Sequence, residues 1–170
     1  MAPVLTDLPP NPSFFGMGYN PRCLRRDISR AAASGWSKDA DVAALITNAD
    51  SFYNFSTTMQ GDFPAGFLGV HTAGHFTIGG DPGGDLFASP GDPMFFLHHA
   101  MIDRTWWTWQ NQDLGARLFA IGATVTLNDS PPSRNATLDD EITLGFVGVP
   151  DLTIREASDT LGGPFCYVYG

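Results

Sequence analysis

A mainly α fold with loops and a few short strands is predicted by three observations. An apolar, aromatic run from Met94 to Asn111 follows a clean helix start, apolar residues recur at helical spacing upstream of it, and Gly- and Pro-rich stretches separate these segments. The chain has 170 residues, 43% of them hydrophobic and thirteen of them Phe, which supports one domain with a real core. A net charge of -9 argues against nucleic acid as a partner. No apolar run is long enough to span a bilayer, and no secretory leader is expected at Met1.

Taken in order, residues 1 to 22 are rich in Pro, Gly and Asn and read as an extended segment that needs a surface to lie on. Asp27 to Ser34 suits a short helix before Gly35. Lys38 to Asn48 places Val42, Leu45 and Ile46 on one helical face. A third helix is predicted from Asp50 to Gln60, and Gly61 to Gly69 turns the chain into a short helix bearing His71 and His75. Ile78 to Asp92 is a Gly/Pro loop, structural in character because it lacks the GK[ST] of a phosphate cradle. Asp92 then caps the long helix and Pro93 fits its first turn. Beyond it, Thr124 to Leu127 is expected to be a strand and Ile154 to Thr160 a brief helix. No internal repeat is visible.

The chemistry is carried by the histidines. There are four, His71, His75, His98 and His99, all within one short stretch of the chain. The i, i+4 spacing of His71 and His75 brings two imidazoles to one side of a helix, and a third from a neighbouring helix completes a facial set that leaves open positions on a transition metal. His99 shares its face with Asp103 and Trp107, whereas His98 points about 100° away. His71, His75 and His99 are therefore the candidate ligands, with His98 behind them. Asp103, one turn after His99, is the candidate to orient that ring by accepting its second N–H; an ion pair with Arg104 or Arg25 is the competing role. Phe95, Phe96, Trp106, Trp107 and Trp109 read as a dry wall around the site.

The run Asp92-Pro93-Met94-Phe95-Phe96-Leu97-His98-His99-Ala100-Met101-Ile102-Asp103 resembles the second-copper signature of the tyrosinase, catechol oxidase and molluscan haemocyanin family at every specified position. The signature's ligand falls on His99, the family's preceding HxxxH on His71 and His75, and its Asp-Arg-x-Trp on Asp103, Arg104 and Trp106. Tyr19 to Asp27 and Gly79 to Asp85 are similar to stretches of the short fungal tyrosinase-like proteins, and Tyr167-Val168-Tyr169 to the family's tyrosine motif. Nearly the whole chain is covered.

The resemblance implies a type-3 copper enzyme, in which two coppers, each held by three neutral imidazoles, oxidise an o-diphenol to an o-quinone with dioxygen. The family carries a second set of three histidines upstream, and this chain has none. Residues 1–170 are thus expected to form the C-terminal, second-copper (CuB) half of the four-helix-bundle domain, with the first-copper half absent. One copper per chain is expected, pairing with a second copper held by a first-copper polypeptide or by a second copy of this chain. In the family an Asn after the first ligand and a nearby Glu guide monophenols; Thr72 and Asp62 are the residues found here. Diphenol oxidation is therefore expected to exceed monophenol hydroxylation. The alternatives are a non-catalytic copper or oxygen-binding module and a mononuclear three-histidine zinc hydrolase, although no carboxylate sits at the usual spacing for a general base.

Cys23 and Cys166 are the disulfide candidate. Their pairing would close a loop of roughly 140 residues, worth about 4 to 5 kcal/mol in the chain-entropy account; free, buried thiols are the alternative. Asn54-Phe55-Ser56 and Asn135-Ala136-Thr137 satisfy the glycosylation sequon and favour a secreted parent protein.

Overall fold

A computed structural model describes residues 23–145 and 148–170, together with Tyr19 and Pro21. The predicted extended segment 1 to 22 otherwise lies outside the described residues. The chain divides into two compact units, one comprising residues up to Leu45 and Thr57–Asp103, the other Ile46–Ser56 and Arg104–Gly170. Seven helices, α1 (Arg30–Trp36), α2 (Asp39–Asn48), α3 (Phe52–Gln60), α4 (Gly69–Ile78), α5 (Met94–Asn111), α6 (Leu114–Arg117) and α7 (Ile154–Ser158), dominate the described residues. None of them is long and apolar enough to cross a membrane.

In the first unit, α1 packs on α4. Ala32, Leu68 and Ala73 are buried between them, with Trp36 and Phe76 laid against the cluster. α1 starts later than its sequence suggests, at Arg30, because the residues before it are held extended. The amides of Asp27 and Ser29 donate to the carbonyls of Ile78 and Thr77 at 3.1 and 3.0 Å, and Arg25 and Asp81 exchange both backbone hydrogen bonds. Ser29 then caps the helix by accepting from the Ala32 amide. Gly35 lies inside the helix instead of ending it.

The start of α5 is tied to the same extended segment. Asp92 is 1% exposed, and its carboxylate accepts from the Met94 amide at 2.9 Å while receiving Arg26 Nε and Nη2 at 3.0 and 2.9 Å. The Arg26 hydrogen bonds hold this carboxyl below its ordinary range despite burial. A buried anion that both caps a helix and meets a two-pronged cation fixes where and at what angle the helix begins.

The second unit is built around Trp109. This ring is fully buried, stacks on Phe55 at 4.9 Å, donates its Nε1–H to the Ala49 carbonyl at 2.9 Å, and carries the Arg117 guanidinium 4.5 Å from its centre. Gln110 beside it is also buried and satisfied, donating to the carbonyls of Leu118 and Ser158. Arg104 donates to the Gly170 carbonyl, and Trp107 meets Tyr169 edge-on at 5.8 Å, so the tyrosine motif closes onto the second half of α5. α6, a single turn capped by Asp113, escapes the sequence reading because it is too short for periodicity to register.

The predicted strand at Thr124 to Leu127 does not form. Thr124 makes only an isolated bridge to Asn135, and Leu127 opens a 3-10 turn in which Asn128 and Asp129 take positive φ. Hydrogen bonds from Thr126 to Ser133 and to the Pro131 carbonyl stabilise the turn over a ladder. The strand pair lies further on, where β1 (Glu141–Ile142) runs antiparallel to β2 (Leu152–Thr153). α7 follows directly, with Thr153 and Glu156 forming a reciprocal capping box.

The two cysteines lie one in each compact unit. Cys23 and Cys166 are free, exposed thiols, neither bridged nor buried. Sequence spacing bounds the loop entropy of a crosslink but says nothing about whether two Cβ vectors meet.

Candidate metal centre

Two helices of the first unit carry the four imidazoles. α4 presents His71 and His75 one turn apart, and their Nε2 atoms lie 3.3 Å from each other. α5 presents His99, whose Nε2 lies 3.2 Å from that of His75. Imidazole nitrogens about 2.0 to 2.1 Å from a shared four-coordinate metal stand roughly 3.3 Å apart, so both separations suit a common ion.

Neutral imidazoles are what such an ion requires. Burial, reinforced by the neighbouring histidines, pushes His71 and His75 down to about 4, and burial also lowers His98 and His99. Each of the first three rings has a neutral acceptor for one N–H. His71 Nδ1 lies 2.7 Å from Gln60 Oε1, His75 is hydrogen-bonded by the Gly83 carbonyl, and His98 Nε2 lies 2.8 Å from the His71 carbonyl. Phe95 covers His99 with ring centres 4.0 Å apart and tilts over His75 at 5.8 Å.

By proximity alone, His71, His75 and His98 also form a possible set, since each offers a nitrogen within 4.8 Å of the others. We favour His99 over His98 on steric grounds. A Cβ built on Gly74 would lie 2.1, 2.5 and 2.6 Å from His98 Cε1, Nδ1 and Nε2. The nitrogen-bearing edge of His98 is thus pressed against the α4 backbone, with one nitrogen already engaged by the His71 carbonyl. This ring fills the space that Gly74 leaves between α4 and α5.

The remaining sequence candidates fall elsewhere. Thr72 donates its hydroxyl to the Gln60 carbonyl at 2.7 Å, and the Asp62 carboxylate accepts from the Ala65 amide within an exposed turn. Asp103 is half-buried one turn beyond His99 on α5. Of the aromatic residues expected to wall the site, Phe95 does touch it. Phe96 is instead 62% exposed, because its position on α5 faces outward. Trp106 packs edge-on to Phe52, Trp107 meets Tyr169 and Trp109 stacks on Phe55, all within the second unit. Sequence reasoning overlooked Gln60, Gly74 and Gly83. Only Gly74 left a signal, as the small residue one position before a ligand histidine on a helix that must be approached closely.

Comparison with known proteins bears on what ion this is. Residues 3–112 match the common central domain of tyrosinase. Oxidase hkm6 of Aspergillus hancockii is 35% identical over 159 residues, covering 89% of this chain and 54% of that protein. N-acetyl-6-hydroxytryptophan oxidase ivoB of Emericella nidulans is 34% identical over 159 residues, covering 89% and 43%. A solved polyphenol oxidase structure from Thermothelomyces thermophila is similar with a TM-score of 0.88 and 40% identity, over 96% of this chain and 45% of that one. The chain thus spans about half the length of the relatives it matches. Tyrosinase-family proteins bind copper, and the donor set here, three half-buried neutral imidazoles at metal-ligand spacing, suits that ion. With the match covering both ligand helices and the loop between them, this chain belongs to the tyrosinase family.

Proposed function

We propose that this chain supplies the second copper site of a polyphenol oxidase that converts o-diphenols to o-quinones with dioxygen, with His71, His75 and His99 as the ligands. The observation that carries the reading is the run of three Nε2 atoms at 3.3 and 3.2 Å. Copper bound there would supply reversible one-electron redox chemistry and an open coordination face, which three neutral imidazoles permit in both oxidation states.

The protein's own part is to hold those nitrogens unprotonated and correctly aimed. Burial keeps His71 and His75 neutral well below neutral pH. His98 braces the two helices at a fixed separation, Phe95 keeps water from the His99 face, and Asp103 orients His99 from the next turn. The remaining three imidazoles of a binuclear centre come from outside these residues: from a first-copper half or from a second copy of these residues.

Diphenols are favoured over monophenols. Thr72 stands where the family has a water-orienting amide, and its hydroxyl is committed to the Gln60 carbonyl. The Asp62 carboxylate is engaged by the Ala65 amide. With its hydroxyl donated to the Gln60 carbonyl, Thr72 does not offer the donor that a water-orienting amide would. The test is metal analysis of the purified protein followed by oxygen uptake with the complementary half present. One copper per chain and faster uptake on a catechol than on the matching monophenol are expected. Zinc in place of copper, or equal rates without a lag, would overturn the reading.

A further inference from the structure

The turn between α3 and α4 places one side chain against the metal site by backbone contact. Gly61 has φ 97°, and a Cβ there would stand 2.3 Å from the Leu68 carbonyl; Gly69 has φ 65°, and a Cβ there would stand 2.4 Å from the Met59 carbonyl oxygen. Only hydrogen fits at either place, so the end of α3 and the entry to α4 touch main chain to main chain. Gln60 lies at that contact and grips the first turn of α4 twice. Its side-chain Oε1 accepts from His71 Nδ1 at 2.7 Å, and its backbone carbonyl accepts from Thr72 Oγ1 at 2.7 Å.

A neutral imidazole has one N–H and one lone pair. With the proton held at Nδ1 by an amide oxygen, the lone pair of His71 sits on Nε2, the atom that faces His75 Nε2 at 3.3 Å. An unanchored histidine side chain prefers the opposite tautomer, which puts a proton where the metal must bind. The geometry points to Gln60 as the positioning residue that sets the tautomer and direction of His71 for copper. An uncharged amide in this position also enriches the imidazole less than a carboxylate does, which favours the reduced metal.

The inference rests on the copper reading above, but its first readout is taken without metal. The full chain, labelled with 15N-histidine and metal-free at neutral pH, is compared as wild type, Gln60→Met and Gln60→Glu. Met keeps length and packing but removes the acceptor, whereas Glu restores it with a charge. Nitrogen chemical shifts should report an Nδ1–H His71 in the wild type and in Gln60→Glu, and a shift toward Nε2–H in Gln60→Met. Copper(I) affinity by chelator competition should fall roughly 10- to 100-fold in Gln60→Met and stay near wild type in Gln60→Glu, whose copper midpoint potential should drop. An Nε2–H His71 in the wild type or in Gln60→Glu overturns the inference, even if Gln60→Met fails to fold. So does a Gln60→Met protein with unchanged tautomer and affinity. Normal tautomer and affinity shifts in a protein that oxidises no phenol would defeat the proposed function and leave this inference standing.

Discussion

The two ends of α5 serve opposite purposes. In its first half His98 and His99 face α4 among other half-buried imidazoles, and the contacts are hydrogen bonds and ring edges. In its second half Thr105, Trp109 and Gln110 are buried, with Trp109 sealed by stacking, a hydrogen bond and a cation. Apolar burial stabilises without a ligand, whereas half-buried imidazoles whose Nε2 atoms converge at 3.2 to 3.3 Å direct their donor atoms to one place, as binding an ion requires. The first unit is therefore shaped for binding and the second for stability.

The sharpest way to break that contrast is at the ligands. His99→Ala should abolish copper binding, measured by metal analysis, while hardly moving the Tm of the metal-free protein. His98→Ala should retain copper with weaker affinity, because that ring braces the helices. Equal copper loss in both variants would show that the ligand face is misassigned.

In the second unit the expectation reverses. Trp109→Ala removes a fully buried ring and should lower stability by about 3 to 5 kcal/mol in chemical denaturation. Gly74→Ala tests the brace between the helices. Its Cβ would fall 2.1 Å from His98 Cε1, so a cost of about 1 to 3 kcal/mol is expected from overpacking, with weakened copper affinity as its companion. A Gly74→Ala protein with wild-type affinity would mean that His98 does not set the helix spacing.

A further contrast separates the units by pH. His71 and His75 are held near 4 in the folded chain, against about 6.5 when unfolded. Between those values the unfolded state binds more protons, so metal-free stability is full above about 6.5 and declines as pH falls toward 4. In the second unit the shifted groups include Asp140, lowered by its Arg134 hydrogen bonds, and Glu156, lowered by the Thr153 amide. Their contribution is present above the ordinary carboxylate range and is lost only below it. Residue-resolved hydrogen exchange, corrected for intrinsic rates, should show the first unit loosening between pH 7 and 5 while the Trp109 region holds.

Much of this was legible without coordinates. Local rules suffice where the determining interactions lie within a few residues: Asp92 and Pro93 set the frame of α5, and the 100° between successive helical residues separates His99 from His98. The same rules place α2 and α7 within a residue or two of their observed bounds. They failed at α1, where the amides of Asp27 and Ser29 are taken by a segment some fifty residues away. They failed too at Thr124 to Leu127, where a turn's hydroxyl hydrogen bonds outweigh strand propensity.

What the sequence by itself determined is the candidate donor set: four histidines in one short stretch, two at a helical turn's spacing and two at the head of a capped helix. What only the tertiary structure decided is which neighbours hold those rings. Gln60 reaches His71 across a turn closed by Gly61 and Gly69, the Gly83 carbonyl holds His75 from a loop, and Gly74 makes room for His98. The physical reason is range: periodicity and capping act along one helix, whereas the hydrogen bonds that choose a tautomer depend on where separate segments meet, which no local pattern records.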